Sequence, residues 1–547
     1  MSTHVSAQQH AEGLPGPAAL PKVWMLFTGL VLLWLYGYGI STNPLTWEEP
    51  RRCLVALEMI YRGDYIVPHV LGEPYRNKPP LLNWLIVLFA GNRANGVGPV
   101  PIRLIGLLSL LGISWCLWQL TRGQHTTGPA WMPVLMFLTM GIVIQYGRSG
   151  ELDILFTFWV VAALYCFEVG RRRGSSWWQW GLSQAILAGG ILTKGPAPIF
   201  FYPPVLYCAW QDRKQTPFAR GPFLMGLALE VALVLTWLIP YAQHSSAAAL
   251  GQRWTEELLV RTPARHGALA FGVHLVSFPF ELLGAIMPWS LVFGLCLLPQ
   301  VRQSVRHAVR LQSSLRLAVA VSLWSAGLLW LMPGAKGRYC LPGFAFLAML
   351  CGYVLACGCA AVHHTTTPPT TRLLSLIRRF CIDRGTVWPV LGLSWGGLCF
   401  LTALVTGHEI LWQPLVIGLV AITSTYYMVR RHRTTWLLGL PLLMALLYGI
   451  FYVGVNRVLI AESEMRLVQS ASKIAAAIEE FLPIVCEHGV DIPACFVISR
   501  SQGRPLQRYH PSHGAYLLVT PLQYEAQAHS QLIARVAPLA LWMVTRD

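Results

Sequence analysis

Long apolar runs repeated along the chain limit what this sequence can fold into more than any other feature. A helix needs about 20 apolar residues to cross the hydrocarbon core of a bilayer. Runs near that length lie at 23–41, 101–120, 130–146, 151–169, 178–193, 196–210, 221–241, 274–298, 315–333, 339–361, 388–406, 411–429 and 435–456. They predict about thirteen transmembrane helices. Charge content agrees. Asp, Glu, Lys and Arg make up 12% of the 547 residues against 54% apolar types, whereas a soluble globular domain carries roughly 25% charged residues. A soluble enzyme, a disordered tail, a disulfide-rich toxin and a DNA-binding module are excluded together. The expected fold class is an all-α polytopic membrane protein.

The formal charge of +17 is Arg-heavy and falls between the apolar runs, where membrane topology is encoded rather than nucleic-acid binding. Arg122; Arg171, Arg172 and Arg173; Arg213, Lys214 and Arg220; and Arg302, Arg306 and Arg310 lie on alternate loops. So do Arg372, Arg378, Arg379 and Arg384, and then Arg430, Arg431 and Arg433. These loops are expected to be cytoplasmic, provided that the short stretch Pro79–Ala90 does not span. The N-terminus is then inside and the C-terminus outside. With only Lys22 before it and no A-x-A exit, the first run reads as an uncleaved anchor. Three parts follow: a cytoplasmic tail 1–22, a transmembrane domain 23–456 with a first outer loop 42–78, and an outer domain 457–547. In the last, 466–482 reads as helix, Cys495–Ser499, Ala515–Thr520 and Ala540–Thr545 as strands, and Pro521–Val536 as helix. A small α/β domain is expected there. Cys486 and Cys495 flank a Gly/Asp/Pro loop, and either a disulfide or two free thiols fits. The absence of an internal repeat in the sequence weighs against a secondary transporter.

Polar residues collect on the expected outer side. The loop Thr42–Lys78 holds Glu48, Glu49, Arg51, Arg52, Glu58, Arg62, Asp64, Glu73, Arg76 and Lys78. Its charges nearly cancel, so topology does not explain them. Carboxylates beside arginines could bind a metal, accept a proton or hold a phosphate. The competing reading is a solvated amphipathic helix from Glu48 to Arg62 with Leu54, Leu57 and Ile60 on the bilayer. Asp153 starts a helix at the membrane boundary, as a functional carboxylate or a helix N-terminal charge. Lys194, then Lys336, Arg338 and Tyr339, sit in tight turns, and Arg261, Arg265 and His266 in a longer loop. Lone lysines at helix ends often only snorkel, yet an anionic ligand such as a phosphate would explain their recurrence. Glu230 and Glu281 are intramembrane carboxyls with either a functional or a helix-contact role.

Several motifs occur in a fixed order. Glu48-Glu-Pro-Arg-Arg, Glu58-Met, Gly63-Asp-Tyr, Pro68, Gly72-Glu-Pro-Tyr75 and Asn77-Lys-Pro-Pro80-Leu-Leu-Asn-Trp84 come first. Leu152-Asp153, Leu192-Thr-Lys-Gly-Pro196, Arg265-His266, Pro288-Trp289-Ser290 and Lys336-x-Arg-Tyr-x-x-Pro342 follow. Together they resemble the GT-C membrane glycosyltransferases, closest to the ArnT-like enzymes, with protein O-mannosyltransferases as more distant relatives. The resemblance implies sugar transfer, with inversion, from a polyprenyl (undecaprenyl) phosphate donor to a lipid A-like or other acceptor. It places the chain in the bacterial inner membrane with its site at the periplasmic face. It also implies Glu48 or Glu49 as the acid, with Asp153 also catalytic. The donor phosphate would be held by Lys78, Arg265, Lys336 and Arg338, and the substrate by Arg51, Lys194, His266 and Tyr339. A divalent metal ion would be held by Asn77 and Asp153, where Asn77 replaces the family's Glu. A protein acceptor, or a transporter of lipid-linked sugars, is the alternative.

Overall fold

Prolines and glycines decide where the apolar runs become continuous helices and where they break. The computed structural model describes residues 22–122, 130–172, 177–211, 221–260, 262, 265–364, 461–479, 482–487, 490–508, 515–522 and 530–545. The three runs between 388 and 456, and Arg261, lie outside the described residues. The membrane part comprises α1 (Lys22–Gly37), α2 (Glu49–Arg62), α3 (Leu81–Phe89), α4 (Pro99–Thr121), α5 (Trp131–Leu138), α6 (Gly141–Arg148) and α7 (Leu152–Arg172). It continues with α8 (Trp177–Lys194), α9 (Pro203–Gln211), α10 (Gly221–His244), α11 (Ala247–Leu259), α12 (Ala268–Ala285), α13 (Pro299–Leu311), α14 (Ser313–Trp330) and α15 (Leu341–His364). Six spans among the described residues are long and apolar enough to cross a membrane: α4, α7, α10, α12, α14 and Gly337–Gly358. The α3 helix, over Pro79–Ala90, is too short to cross, as expected.

Three expected spans are broken. The run 196–210 divides into a 3-10 turn, Ala197–Phe201, and the nine-residue α9. The run 130–146 divides into α5 and α6 where the Gly141 N–H donates to Met287 O at 3.1 Å and Trp289 Nε1 donates to Thr139 Oγ1 at 3.0 Å. A neighbouring segment thus takes the bond that would continue the helix. The run 274–298 ends its α-helix at Ala285 and continues past Pro288 as a 3-10 turn, Trp289–Leu297, because proline removes a backbone donor. The α7 helix and the Gly337–Gly358 span are each 83% buried, whereas α12 is 6% buried. The first two form the centre, and α12 turns Leu269, Val273, Val276 and Phe280 outward, as suits a lipid-facing surface.

Small residues let α8 and α10 approach closely, as in membrane helix pairs generally. A Cβ at Gly226 would lie 2.2 Å from Gly181 O, while one at Gly272 would meet nothing within 4 Å. Gly226→Val is therefore expected to destabilise the protein by about 1–3 kcal/mol. Thermal unfolding should show a lower Tm for it than for the control Gly272→Val.

In the first loop, α2 begins with Pro50 in its first turn, Glu49 at the positive end and Arg62 in its last turn, all favourable placements. Its apolar face does not lie on the bilayer: Leu54 and Leu57 are fully buried. They join one outer core with Leu82 and Ile86 of α3 and with Ile474, Phe496 and Ile498 of the C-terminal region. A hairpin follows α2, β1 (His69–Val70) against β2 (Glu73–Pro74). Its turn uses positive φ at Leu71 and Gly72, the geometry of tight hairpins. Glu58 accepts hydrogen bonds from the N–H groups of both Leu71 and Gly72.

The C-terminal region pairs a four-stranded sheet with two helices, α16 (Ala461–Ala476) and α17 (Ile492–Gln502). Strand order is β3 (Ile484–Cys486), β4 (Tyr516–Pro521), β6 (Leu539–Val544), β5 (Ser530–Val536). The first pair is parallel and the others antiparallel. Two expectations are corrected. Cys495–Ser499 lies within helix α17, which starts at Asp491-Ile-Pro493, so Pro493 favours a helix start. Within Pro521–Val536, Ser530–Val536 is strand rather than helix because it pairs with β6. Cys486 and Cys495 are fully buried free thiols hydrogen-bonded to each other, so the thiol alternative describes this structure. Tyr61 Oη donates to Ser499 O at 3.3 Å and Arg500 Nη2 to Asn95 O at 2.7 Å. The domain therefore braces the first loop.

Candidate active site

The first loop's neighbouring carboxylates have different surroundings. Glu49 is fully buried, and both its oxygens are engaged. Arg103 donates to it through Nε at 2.9 Å and Nη2 at 2.8 Å. The Thr46 N–H adds a bond at 2.8 Å and the Gly150 N–H another at 2.7 Å. Glu48 is partly open, with a third of its side chain exposed. Arg51 Nη1 reaches both its oxygens at 2.7 Å, and Arg52 Nη2 lies 3.6 Å away. Arg52 is nearly buried, donates to Tyr75 Oη at 2.8 Å, and its Nε is without a hydrogen-bond partner.

Behind α2, the segment leading into α7 supplies two more acids. The Glu48 N–H donates to Glu151 Oε1 at 3.0 Å. Asp153, almost fully buried, receives Lys194 Nζ at 2.5 Å and faces Arg338 Nε at 3.8 Å. Tyr339 closes this group, its ring centroid 4.7 Å from Lys194 Nζ. Lys78 pairs with Glu257 of α11. Burial holds the Lys78 ammonium well below the usual lysine range, at about 8; Glu257 opposes the shift, while Lys194 and Arg52 add to it.

Four of these groups line one cavity. Lys78, Lys194, Glu257 and Tyr339, with Ser325, are its polar lining, and residues such as Phe156, Phe200, Leu328 and Met332 make its apolar walls. A largely apolar cavity that holds two ammonium groups suits a molecule with a hydrocarbon tail and an anionic head. Lys78, Asp153, Lys194, Arg338 and Tyr339, far apart in sequence, therefore meet. Arg265 and Lys336 are exposed, and no hydrogen bond or ion pair among the described residues ties their side chains to this cluster. His266 Nε2 lies 2.7 Å from Val260 O instead. Glu151 and Glu257 are members that the sequence did not single out, and Arg52, named only among the first-loop charges, joins them.

A divalent cation does not fit the expected pair of ligands. Asn77 Oδ1 accepts from Arg253 Nε at 2.8 Å, and Lys194 and Arg338 occupy the charge-neutralising positions around Asp153. Among the described residues, no group of three or more His, Cys, Asp or Glu side chains is arranged to hold an ion.

Residues 77–239 match the dolichyl-phosphate-mannose-protein mannosyltransferase family. The undecaprenyl phosphate-α-4-amino-4-deoxy-L-arabinose arabinosyl transferase of Edwardsiella ictaluri is 31% identical over 61% of this chain and 60% of its own length. That of Serratia proteamaculans is 26% identical over 79% of this chain and 76% of its own. The chain thus matches less than two thirds of the first relative and about three quarters of the second. The crystal structure of ArnT from Cupriavidus metallidurans bound to undecaprenyl phosphate superimposes with a TM-score of 0.70 at 15% identity, covering 96% of this chain and 98% of that one. Its apo form gives 0.66 at 16% identity, covering 95% and 98%. At such identities the likeness is one of fold.

The fold is that of a multi-pass membrane protein with a small sheet-containing C-terminal region. Within that class the chain is similar to the ArnT enzymes.

Proposed function

We propose that the chain is an inverting glycosyltransferase that moves a sugar from a polyprenyl-phosphate carrier to a lipid acceptor at the periplasmic face. The observation that carries this reading is the largely apolar cavity lined by Lys78 and Lys194. The donor's isoprenoid tail would lie along Phe156, Phe200 and Leu328, with its phosphate at the two ammonium groups. The relatives' names point to undecaprenyl phosphate as carrier and 4-amino-4-deoxy-L-arabinose as sugar. Lipid A is the matching acceptor.

In the reaction the acceptor oxygen attacks the anomeric carbon and the bond from that carbon to the phosphate oxygen breaks. The electron pair of that bond leaves with the phosphate. Charge develops there, so cations placed beforehand lower the barrier. Lys78 is nearest this task, with Lys194 and Arg338 behind it, and Asp153 holds the latter two in place. Glu48 is the first-loop carboxylate that stays partly open. For a hydroxyl acceptor it takes the proton as general base; for a phosphate acceptor, already a competent nucleophile, it orients the sugar through its amine. In this reading thirteen helices cross the membrane, the tail 1–22 is cytoplasmic, the domain 23–456 carries the reaction and 457–547 is periplasmic.

Mass spectrometry of polyprenyl-phosphate lipids and lipid A from wild-type and deletion strains tests the proposal. The expected result is accumulation of one lipid-linked sugar as lipid A loses the same mass. Loss of sugar from periplasmic proteins instead would identify a protein acceptor. Accumulation of the lipid-linked sugar on the cytoplasmic side alone would favour a transporter.

A further inference from the structure

We propose that Glu151 is a positioning residue for Glu48, holding the start of α2 and sharing Arg52 with the first-loop carboxylate. The inference deepens the transferase reading above and rests on it. Two bonds cross between the segment Gly150–Glu151 and α2. The Gly150 N–H donates to Glu49 Oε1 at 2.7 Å, and the Glu48 N–H donates to Glu151 Oε1 at 3.0 Å. Each segment supplies one backbone donor and one carboxylate, so neither can shift without breaking both bonds. The clamp acts at Glu48, the partly open carboxylate of the first loop.

Its two halves differ in one respect. Glu49 is neutralised directly by Arg103. Glu151, only 4% exposed, has no ion pair of its own among the described residues and is opposed by Arg52 at longer range. Arg52 also lies near Glu48, so the charge on Glu151 sets how strongly the guanidinium is drawn from the catalytic carboxylate. The titratable groups facing Glu151 are Asp153 on its own segment, Glu48, Glu49 and Arg52 on α2, and Tyr146 on α6.

Glu151→Gln keeps an acceptor for the Glu48 N–H, and Glu151→Ala loses it. Full-length protein in nanodiscs would be assayed with undecaprenyl phosphate-α-4-amino-4-deoxy-L-arabinose and lipid A. Glu151→Ala is expected to lower kcat by about tenfold. Donor KM should stay within about twofold, since positioning acts on kcat. Glu151→Gln should recover part of that loss. A Glu151→Ala enzyme equal to wild type, or a Glu151→Gln enzyme as slow as Glu151→Ala, overturns the inference while leaving the transferase reading intact. Wild-type transfer by Glu48→Gln in the same assay overturns that reading and this inference with it.

Discussion

Glu48→Gln stops sugar transfer in a folded protein, whereas Glu49→Gln yields a protein that unfolds readily. Glu48 is partly open and its close ion pair is with the equally open Arg51, so losing that pair costs little stability; exposed pairs contribute about 0–1 kcal/mol, and the buried Arg52 keeps its bond to Tyr75. Its loss as general base lowers kcat by about 10²–10⁴-fold. Glu49 is the reverse. Its carboxylate is sealed from solvent and answers Arg103 and two backbone N–H groups. Removing one partner of a buried pair leaves the other charge uncompensated, at about 3–5 kcal/mol, a large part of a typical stability of about 5–15 kcal/mol. Thermal unfolding and single-turnover transfer on the same preparations separate the two. A stable, inactive Glu49→Gln protein beside a fully active Glu48→Gln one would reverse the roles.

The contrast could not be read from Glu48-Glu49 as a dipeptide, because what distinguishes the two is Arg103, more than fifty residues away. Helices were legible wherever an apolar run met a charge or a proline, as in α4 and α7. The break between α5 and α6 was not, since it depends on a bond to Met287 from a distant segment. Apolar periodicity in α2 gave the buried face correctly but not its cover, because Leu54 and Leu57 present the same pattern to lipid or to protein. In α17 the apolar run Cys495–Ser499 fits strand or helix equally by periodicity, and Asp491-Ile-Pro493 was the signal that favoured helix. Asp153 and Lys194 stood out singly as charges at membrane boundaries. Glu257 did not, since nothing in Thr255-Glu-Glu257 marks the second carboxylate as the partner of a lysine 179 residues earlier. Glu151 was hidden beside Asp153 for the same reason: its bond is to a backbone amide of another segment.

Lys78→Met should lower kcat/KM by about 10²–10³-fold, and the lysine's titration should set the alkaline limit of activity. The variant keeps the length and apolar stem of the side chain, so the cavity wall survives while the cation is lost. Lys78→Arg should recover only part of the activity, since a planar guanidinium does not replace a compact ammonium in a close-fitting site. Burial has already brought the ammonium down to about 8, so it loses its proton as pH rises through that value. A log(kcat/KM) profile, which reports groups of the free enzyme, should therefore fall above about pH 8. Glu257 supplies an internal check. Its carboxylate opposes the downward shift of Lys78, whereas Lys194 and Arg52 add to it. Neutralising it in Glu257→Gln must move the alkaline limb to lower pH, and neutralising Lys194 in Lys194→Met must move it higher. Opposite displacements from two residues lining the same cavity would identify Lys78 as the titrating group. An alkaline limb that neither variant moves would assign the titration elsewhere and remove Lys78 from the phosphate site.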